Sequence, residues 1–157
     1  MKLFALNLLL AFSWMAVNGD FSLTGLVVGF VLGHLVLWLA KPVWPDDPYF
    51  KRLWGGVGFF FWFLKELWVS SVKVATSVLS PNMGNRPAVV AMPLDAKTDV
   101  EITLLACCIT LTPGTLSLDV SPDRSVLYIH ANFAEDPEAV KRETKETMER
   151  RILEWLR

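Results

Sequence analysis

Ionisable residues lie inside two long apolar runs, and these are the residues whose types and positions could do chemistry. His34 lies in the run 21–40, and the neighbours Lys65 and Glu66 lie in the run 53–79. An ionisable side chain inside a membrane segment is costly to bury and is a candidate for carrying protons or ions. All three residues have a structural alternative, which we favour. His34 can hydrogen-bond as a neutral ring near the end of its run, and Lys65 and Glu66 can mark where a helix meets the membrane surface.

No other pattern in the chain predicts catalysis or metal binding. His130 has no serine or cysteine nucleophile in a recognisable turn nearby. The only cysteines, Cys107 and Cys108, are adjacent, and neighbouring cysteines seldom form a disulfide or a metal site by themselves. The sequence also lacks a glycine-rich phosphate loop and zinc-ligand spacing. We therefore expect no enzyme activity, no cofactor and no metal.

Composition predicts a membrane part joined to a soluble part. Hydrophobic residues make up 53% of the 157 residues and charged residues 20%, and the mean hydropathy is +0.39. A positive average with ordinary charge content indicates that the apolar residues are segregated. The formal net charge of −1 argues against nucleic acid as a partner.

The elements that position His34 are two predicted membrane helices, 3–17 and 21–40. A run of about 20 residues matches the roughly 30 Å thickness of the hydrocarbon core. The second run has a glycine at every fourth position: Gly25, Gly29 and Gly33. This spacing predicts a flat helix-packing interface, although glycine is also simply more frequent in membrane helices. We prefer an uncleaved first helix to a removed signal peptide, and expect it to pack on the glycine face as a tight hairpin.

Positive charges flank the predicted hairpin and place both of its ends in the cytoplasm. The proline-rich residues 41–48 form a linker to the third segment, 53–79. The first half of that segment is apolar on all sides and its second half carries a polar stripe, so it is either an amphipathic helix on the membrane surface or a further span. We favour the surface helix, which completes a membrane region of residues 1–80.

Residues 87–157 predict a small cytoplasmic α+β domain with the order strand, helix, strand, strand, helix. We expect a strand at 88–92, and a buried helix at Asp99–Leu111, for which a strand is the alternative. Alternation in the next strand predicts that Leu116, Leu118 and Val120 share a buried face. The last helix begins after Asp136, with proline at its first position.

A longer motif in the domain resembles a known family. The run Leu-Thr-Pro-Gly-Thr-Leu-Ser-Leu-Asp-Val occupies residues 111–120, and Leu-Tyr-Ile-His-Ala occupies 127–131. With Asn-Leu-Leu-Leu-Ala-Phe at 7–12 and the glycine-spaced helix, this resembles the E subunits of the Mrp-type (Mnh or Pha) multisubunit cation/proton antiporters. The motif centres on a sharp turn formed by Thr112, Pro113, Gly114 and Thr115.

The resemblance implies an accessory subunit of a bacterial inner-membrane complex that exchanges sodium, or in some systems potassium, for protons. Its implied partners are the other antiporter subunits and the lipid bilayer, and a dimer of complexes is left open. The family offers no catalytic residues to carry over. The competing hypothesis is an independent membrane-anchored module that binds a ligand or a protein.

Overall fold

The computed structural model describes residues 2–44, 47–80, 86–132, 134 and 136–157. Residues 81–85, between the predicted membrane region and the predicted domain, lie outside these ranges, as do Pro45 and Asp46 of the predicted linker. The helices and strands are α1 (Lys2–Asn18), α2 (Leu23–Leu39), α3 (Tyr49–Leu79), β1 (Ala88–Pro93), α4 (Asp99–Leu111), β2 (Thr115–Val120), β3 (Val126–Ala131), α5 (Pro137–Thr144) and α6 (Arg150–Leu156). Within the described residues, no helix combines the length and the apolarity that define a candidate membrane span.

The chain divides into two compact units, Met1–Trp54 and Gly55–Arg157. The boundary between them falls inside α3. The domain limits predicted from the sequence, 1–80 and 87–157, stay a prediction. The two units are described separately below.

The first unit contains α1 and α2, which run antiparallel. Gly29 of α2 lies against Ala11 of α1, and Gly33, one turn later, lies against Asn7, one turn earlier. Gly19 has φ +65° and ends α1, as expected for a glycine that terminates a helix. Ser22 caps α2 by accepting a hydrogen bond from the Gly25 backbone N–H.

The second unit is a three-stranded antiparallel sheet with helices on one face. The strand order is β1-β3-β2, so the sequence-distant β1 pairs with β3 at the centre of the sheet. The β2–β3 hairpin and the helix at Asp99–Leu111 follow the prediction. Thr98 forms a capping box with Glu101, which favours the helix over the alternative strand. The core comprises Met92, Leu105, Cys108, Ile109, Leu127, Ile129, Met148 and Ile152.

The predicted buried face of β2 is wrong for two of its three residues. Leu116 and Leu118 are 43% and 50% exposed, whereas Val120 packs against the core. An irregularity between Ser117 and Asp119 interrupts the pairing of β2 with β3. A bulge inserts one extra residue, which moves the following side chains to the opposite face. Simple alternation along β2 therefore fails at this point.

The C-terminal helix consists of α5, one π-helical turn at Lys145–Glu149, and α6. Asp136 caps its start by accepting a hydrogen bond from the Glu138 backbone N–H, as predicted. The π-helical turn was not predicted. It lies where Met148 and Glu149 are both buried. We therefore associate the widened turn with the placement of a buried carboxylate, which is described below.

Candidate functional site

The three glycines of α2 are buried and closely covered within their own unit. A Cβ at Gly29 would lie 2.8 Å from the carbonyl oxygen and 3.0 Å from the Cα of Ala11. A Cβ at Gly33 would collide with Oδ1 of Asn7, and one at Gly25 with the carbonyl oxygen of Asp20. Only glycine allows backbones to approach this closely.

His34 belongs to a hydrogen-bonded group that the sequence analysis missed. Its Nδ1 lies 3.0 Å from the hydroxyl of Tyr49, and the Asn7 side-chain amide donates to the same hydroxyl at 2.6 Å. A tyrosine hydroxyl can accept from Asn7 and at the same time donate to Nδ1 of a neutral histidine. Asn7 is fully buried, and its Oδ1 has no hydrogen-bond partner among the described residues. The one clue in the sequence was Asn7, an asparagine inside an apolar helix with no polar partner near it in the sequence.

Aromatic rings from the start of α3 surround the His34 ring. The ring centroids of Phe50 and Trp54 lie 5.1 Å and 6.0 Å from it, both in edge-to-face geometry. These contacts hold the imidazole in one orientation. His34 thus forms the hydrogen bond that a neutral histidine can make, and a role in an ion path stays a prediction.

Lys65 and Glu66 belong to the second unit and face different surroundings. Lys65 is exposed, whereas Glu66 is half-buried. Glu66 lines a cavity of about 130 Å³ together with Lys73, Glu143 and the turn at 112–115. Lys73 forms an ion pair with Glu143 across 3.6 Å. Lys65 forms no ion pair with the other described residues, and its role in an ion path is likewise untested.

The turn of Thr112, Pro113, Gly114 and Thr115 closes the end of α4. The Thr112 hydroxyl donates to the Ile109 carbonyl at 2.7 Å, and the Thr115 hydroxyl reaches the same oxygen at 2.7 Å. These bonds satisfy a carbonyl group that the helix end leaves without a partner. Gly114 has φ +96°, a conformation that favours glycine. The observed contacts of this motif position the start of β2.

Two buried glutamates hold the connection between β1 and α4. Glu149 accepts hydrogen bonds from the backbone N–H groups of Asp95 and Ala96 at 2.6 and 2.9 Å. Glu101 accepts from Arg157 Nε at 3.0 Å and from the Lys97 backbone N–H at 2.8 Å. The hydrogen bond from Arg157 is the largest of the effects that lower the pKa of Glu101 to about 2.

Within the residues that the structure describes, no group of three or more His, Cys, Asp or Glu side chains is placed to hold a metal ion. Cys107 is exposed and Cys108 is buried. Burial is the main cause that raises the pKa of the Cys108 thiol to about 11, with a smaller effect of Cys107. The described geometry is that of packing surfaces and hydrogen-bonded connections.

Comparison with known proteins assigns the chain to a family. The sequence profile described as "Na+/H+ ion antiporter subunit" matches residues 7–155. The chain is 40% identical over 149 residues to the E subunit of the Na(+)/H(+) antiporter of Bacillus subtilis (strain 168), covering 95% of this chain and 94% of that protein.

Solved structures extend the comparison to the fold. A chain from the structure of the Mrp complex from Dietzia sp. DQ12-45-1b is 27% identical, with a TM-score of 0.52 over 64% of this chain and 94% of that one. A chain of the membrane-bound sulfane sulfur reductase, an archaeal respiratory membrane complex, shares the fold at 21% identity, with a TM-score of 0.60 and 96% of both chains covered. The profile match and the B. subtilis relative together show that this chain belongs to the family of Na+/H+ antiporter subunits.

Proposed function

We propose that this chain is an accessory subunit of a multisubunit Na+ (or K+)/H+ antiporter in the bacterial inner membrane. In this proposal it acts in the assembly and stability of the complex rather than in ion transfer itself. Support comes from the relatives, which are named as antiporter subunits or come from an Mrp complex. The observation that carries the assembly role is the large apolar surface that the described helices leave uncovered.

We propose that α1 and α2 lie within the lipid bilayer as an antiparallel pair. Each has 17 residues and a length of about 26 Å at 1.5 Å per residue, close to the lower limit for a spanning helix. Their outer faces expose large apolar side chains, which would face lipid or other subunits: Leu9, Phe12, Val17, Val27, Val31, Leu35 and Trp38. The positive residues that flank the pair favour a cytoplasmic location for both of its ends.

The part of α3 in the second unit supports a placement along the membrane surface. Its outer face exposes an apolar stripe of Val57, Phe60, Phe61, Leu64, Trp68 and Val72. Its inner face packs on the charged C-terminal helix: Phe59 stacks on Trp155 at 5.1 Å, and Arg151 lies 6.0 Å from the ring centre of Trp62. A perpendicular crossing would carry Arg151 and its neighbours into the hydrocarbon, at a cost of about 3 kcal/mol for a charged side chain. An interfacial helix avoids this cost.

Cys107 offers a direct test of this topology in the unmodified chain. It is exposed, whereas burial and the raised pKa of Cys108 suppress the reactivity of that neighbour. We expect a membrane-impermeant maleimide to label Cys107 in inside-out vesicles and not in sealed right-side-out vesicles. Labelling only in right-side-out vesicles would reject the cytoplasmic placement of the C-terminal domain.

Co-purification separates the subunit proposal from an independent membrane-anchored binding module. We expect a tagged chain extracted in mild detergent to retain a constant set of the other antiporter subunits. A monodisperse chain that retains none of them would favour the independent module. The particle mass of the same preparation would show whether complexes associate as dimers.

The ion-path candidates are tested apart from assembly. Glu66→Gln in intact complexes removes the charge but keeps the size of the side chain. Unchanged antiport in everted vesicles would remove Glu66 from the ion path, whereas loss of antiport with normal assembly would give it a transport role. His34→Gln and Lys65→Gln test the other two ion-path candidates in the same assay.

A further inference from the structure

One face of the sheet in the second unit is largely apolar and is not covered by the described residues. The helices cover the face that carries Val90, Met92, Leu127 and Ile129. The opposite face, which we call the open face, is formed by side chains from all three strands. Its large members are Val89 at 60%, Leu116 at 43%, Leu118 at 50% and Tyr128 at 39% exposure.

Strand register brings these side chains together. Val89 of β1 and Leu116 of β2 both lie opposite His130 of the central strand β3. Tyr128, two residues before His130, points to the same face. Leu118, two residues after Leu116, lies on the same face. The irregularity beside it places Asp119 opposite Tyr128, at the border of this face, and turns Val120 to the core. The open face is therefore a continuous patch rather than scattered exposed residues.

The dimensions of the open face indicate what can cover it. Three strands about 4.8 Å apart and six residues of about 3.3 Å each give a face of roughly 14 by 20 Å, or about 300 Å². One α-helix, with a diameter of about 10 Å, fills this width. A stable pair of proteins buries about 800 Å² on each side, so the open face is too small to hold two copies of this chain together by itself.

The position of α3 argues against lipid as the occupant. α3 packs on the helical layer, through Phe59 on Trp155 and Lys73 near Glu143. Phe59, Trp62 and Phe63 of α3 also pack against the core cluster on the helix-covered face of the sheet. α3 therefore lies on the side of the sheet opposite the open face. If α3 rests on the membrane, the open face points away from it.

We propose that the open face is the docking site for one amphipathic helix of another subunit of the same antiporter complex. This inference rests on the proposed function, since it requires a complex already held together by other contacts. The apolar side of that helix covers Val89, Leu116 and Leu118. The Tyr128 hydroxyl has no hydrogen-bond partner among the described residues. Because a tyrosine hydroxyl is normally paired once it is buried, the docked helix carries a polar group that bonds it.

His130 gives the site a second polar anchor at its edge. Its Nε2 lies 3.1 Å from Oδ1 of Asn132. Since Oδ1 can only accept, Nε2 donates this hydrogen bond, which leaves Nδ1 as the second polar atom of the ring. A hydroxyl or amide N–H on the docked helix complements this nitrogen.

Protection of an introduced cysteine tests whether the open face is covered. The variant Leu118→Cys is compared with Val100→Cys, an apolar residue of α4 that is 66% exposed and lies outside the open face. Both are made with Cys107→Ala, because native Cys107 is exposed. In the purified complex, we expect maleimide labelling at residue 118 to be slower than in the isolated full-length chain by about tenfold or more. Labelling at residue 100 should differ by less than about twofold between the two preparations.

A photo-crosslinker identifies the occupant. With p-benzoylphenylalanine in place of Leu118 in the complex, we expect an adduct with another antiporter subunit, mapped by mass spectrometry to one helix. Equal labelling at residue 118 in both preparations, an adduct with a second copy of this chain, or an adduct with lipid would each overturn the inference while leaving the subunit proposal intact. A chain that does not co-purify with the other subunits would overturn the proposed function, and this inference with it.

Discussion

Replacing Gly29 by alanine tests the close approach of α1 and α2, and Gly58 provides a matched control. Both glycines lie inside helices, where alanine is more favourable by about 1 kcal/mol. A Cβ at Gly58 would meet nothing within 4 Å. We therefore expect Gly58→Ala to stabilise the chain by about 1 kcal/mol, or to leave it unchanged.

At Gly29 the same methyl group meets backbone atoms that cannot rotate away. It would lie 2.8 Å from the Ala11 carbonyl oxygen and 3.0 Å from the Ala11 Cα, whereas ordinary contacts begin at 3.4 Å. The two helices must therefore separate by several tenths of an ångström. Overpacking of this kind costs about 1–3 kcal/mol. The gain in helix propensity offsets about 1 kcal/mol of this cost. Gly29→Ala should therefore lower the free energy of unfolding by between 0 and about 2 kcal/mol.

The assay is unfolding of the full-length chain in mixed detergent and SDS micelles, followed by circular dichroism. The difference between the two variants is the decisive quantity, because helix propensity contributes equally to both. We expect Gly29→Ala to be less stable than Gly58→Ala by about 1–3 kcal/mol. Equal stability of the two variants would refute the close contact between α1 and α2, and with it the packing role of the glycine face.

Three further changes test the hydrogen-bonded connections, each by the same unfolding assay. Gly114→Ala forces an alanine to φ +96° and should destabilise by about 1–2 kcal/mol; an unchanged midpoint would contradict the observed turn. Tyr49→Phe leaves the buried Asn7 amide unpaired and should cost about 1–3 kcal/mol, and a neutral effect would contradict this pairing. Glu101→Gln removes a carboxylate whose pKa is lowered to about 2, so the native chain should lose stability as the pH falls from about 5 towards 2. At pH 7 the variant should be less stable than the native chain by about 2 kcal/mol, a value reduced because Arg157 is half-exposed. The variant should also lack the fall in stability between about pH 5 and pH 2. Parallel pH profiles of the two chains would refute the ion pair between Glu101 and Arg157.

Local signals were sufficient to predict the order of elements. The capping box of Thr98 and Glu101, the Asp136 cap and the glycine at the end of α1 are short-range features. Each is decided by residues within one helical turn. For this reason β1, α4, the β2–β3 hairpin and the start of the C-terminal helix follow the sequence.

Features that depend on sequence-distant contacts were not predicted. Glu149 bonds backbone N–H groups more than 50 residues away, and nothing near it in sequence indicates this. The bulge in β2 is decided by pairing with β3, and it turns Val120 to the core face while Leu116 and Leu118 stay on the exposed face. Likewise the partner of His34 is Tyr49 of another helix. In each case a tertiary contact outweighs the local pattern.

Deletion of this chain, with the other antiporter subunits expressed at normal levels, is the most direct test of its role. Two quantities are measured in the same membranes: the amount of fully assembled remaining complex and the Na+/H+ antiport of everted vesicles. We expect both to fall together and to recover when the chain is supplied from a second gene copy. Full assembly with unchanged antiport in its absence would contradict the proposal that this subunit builds and stabilises the complex.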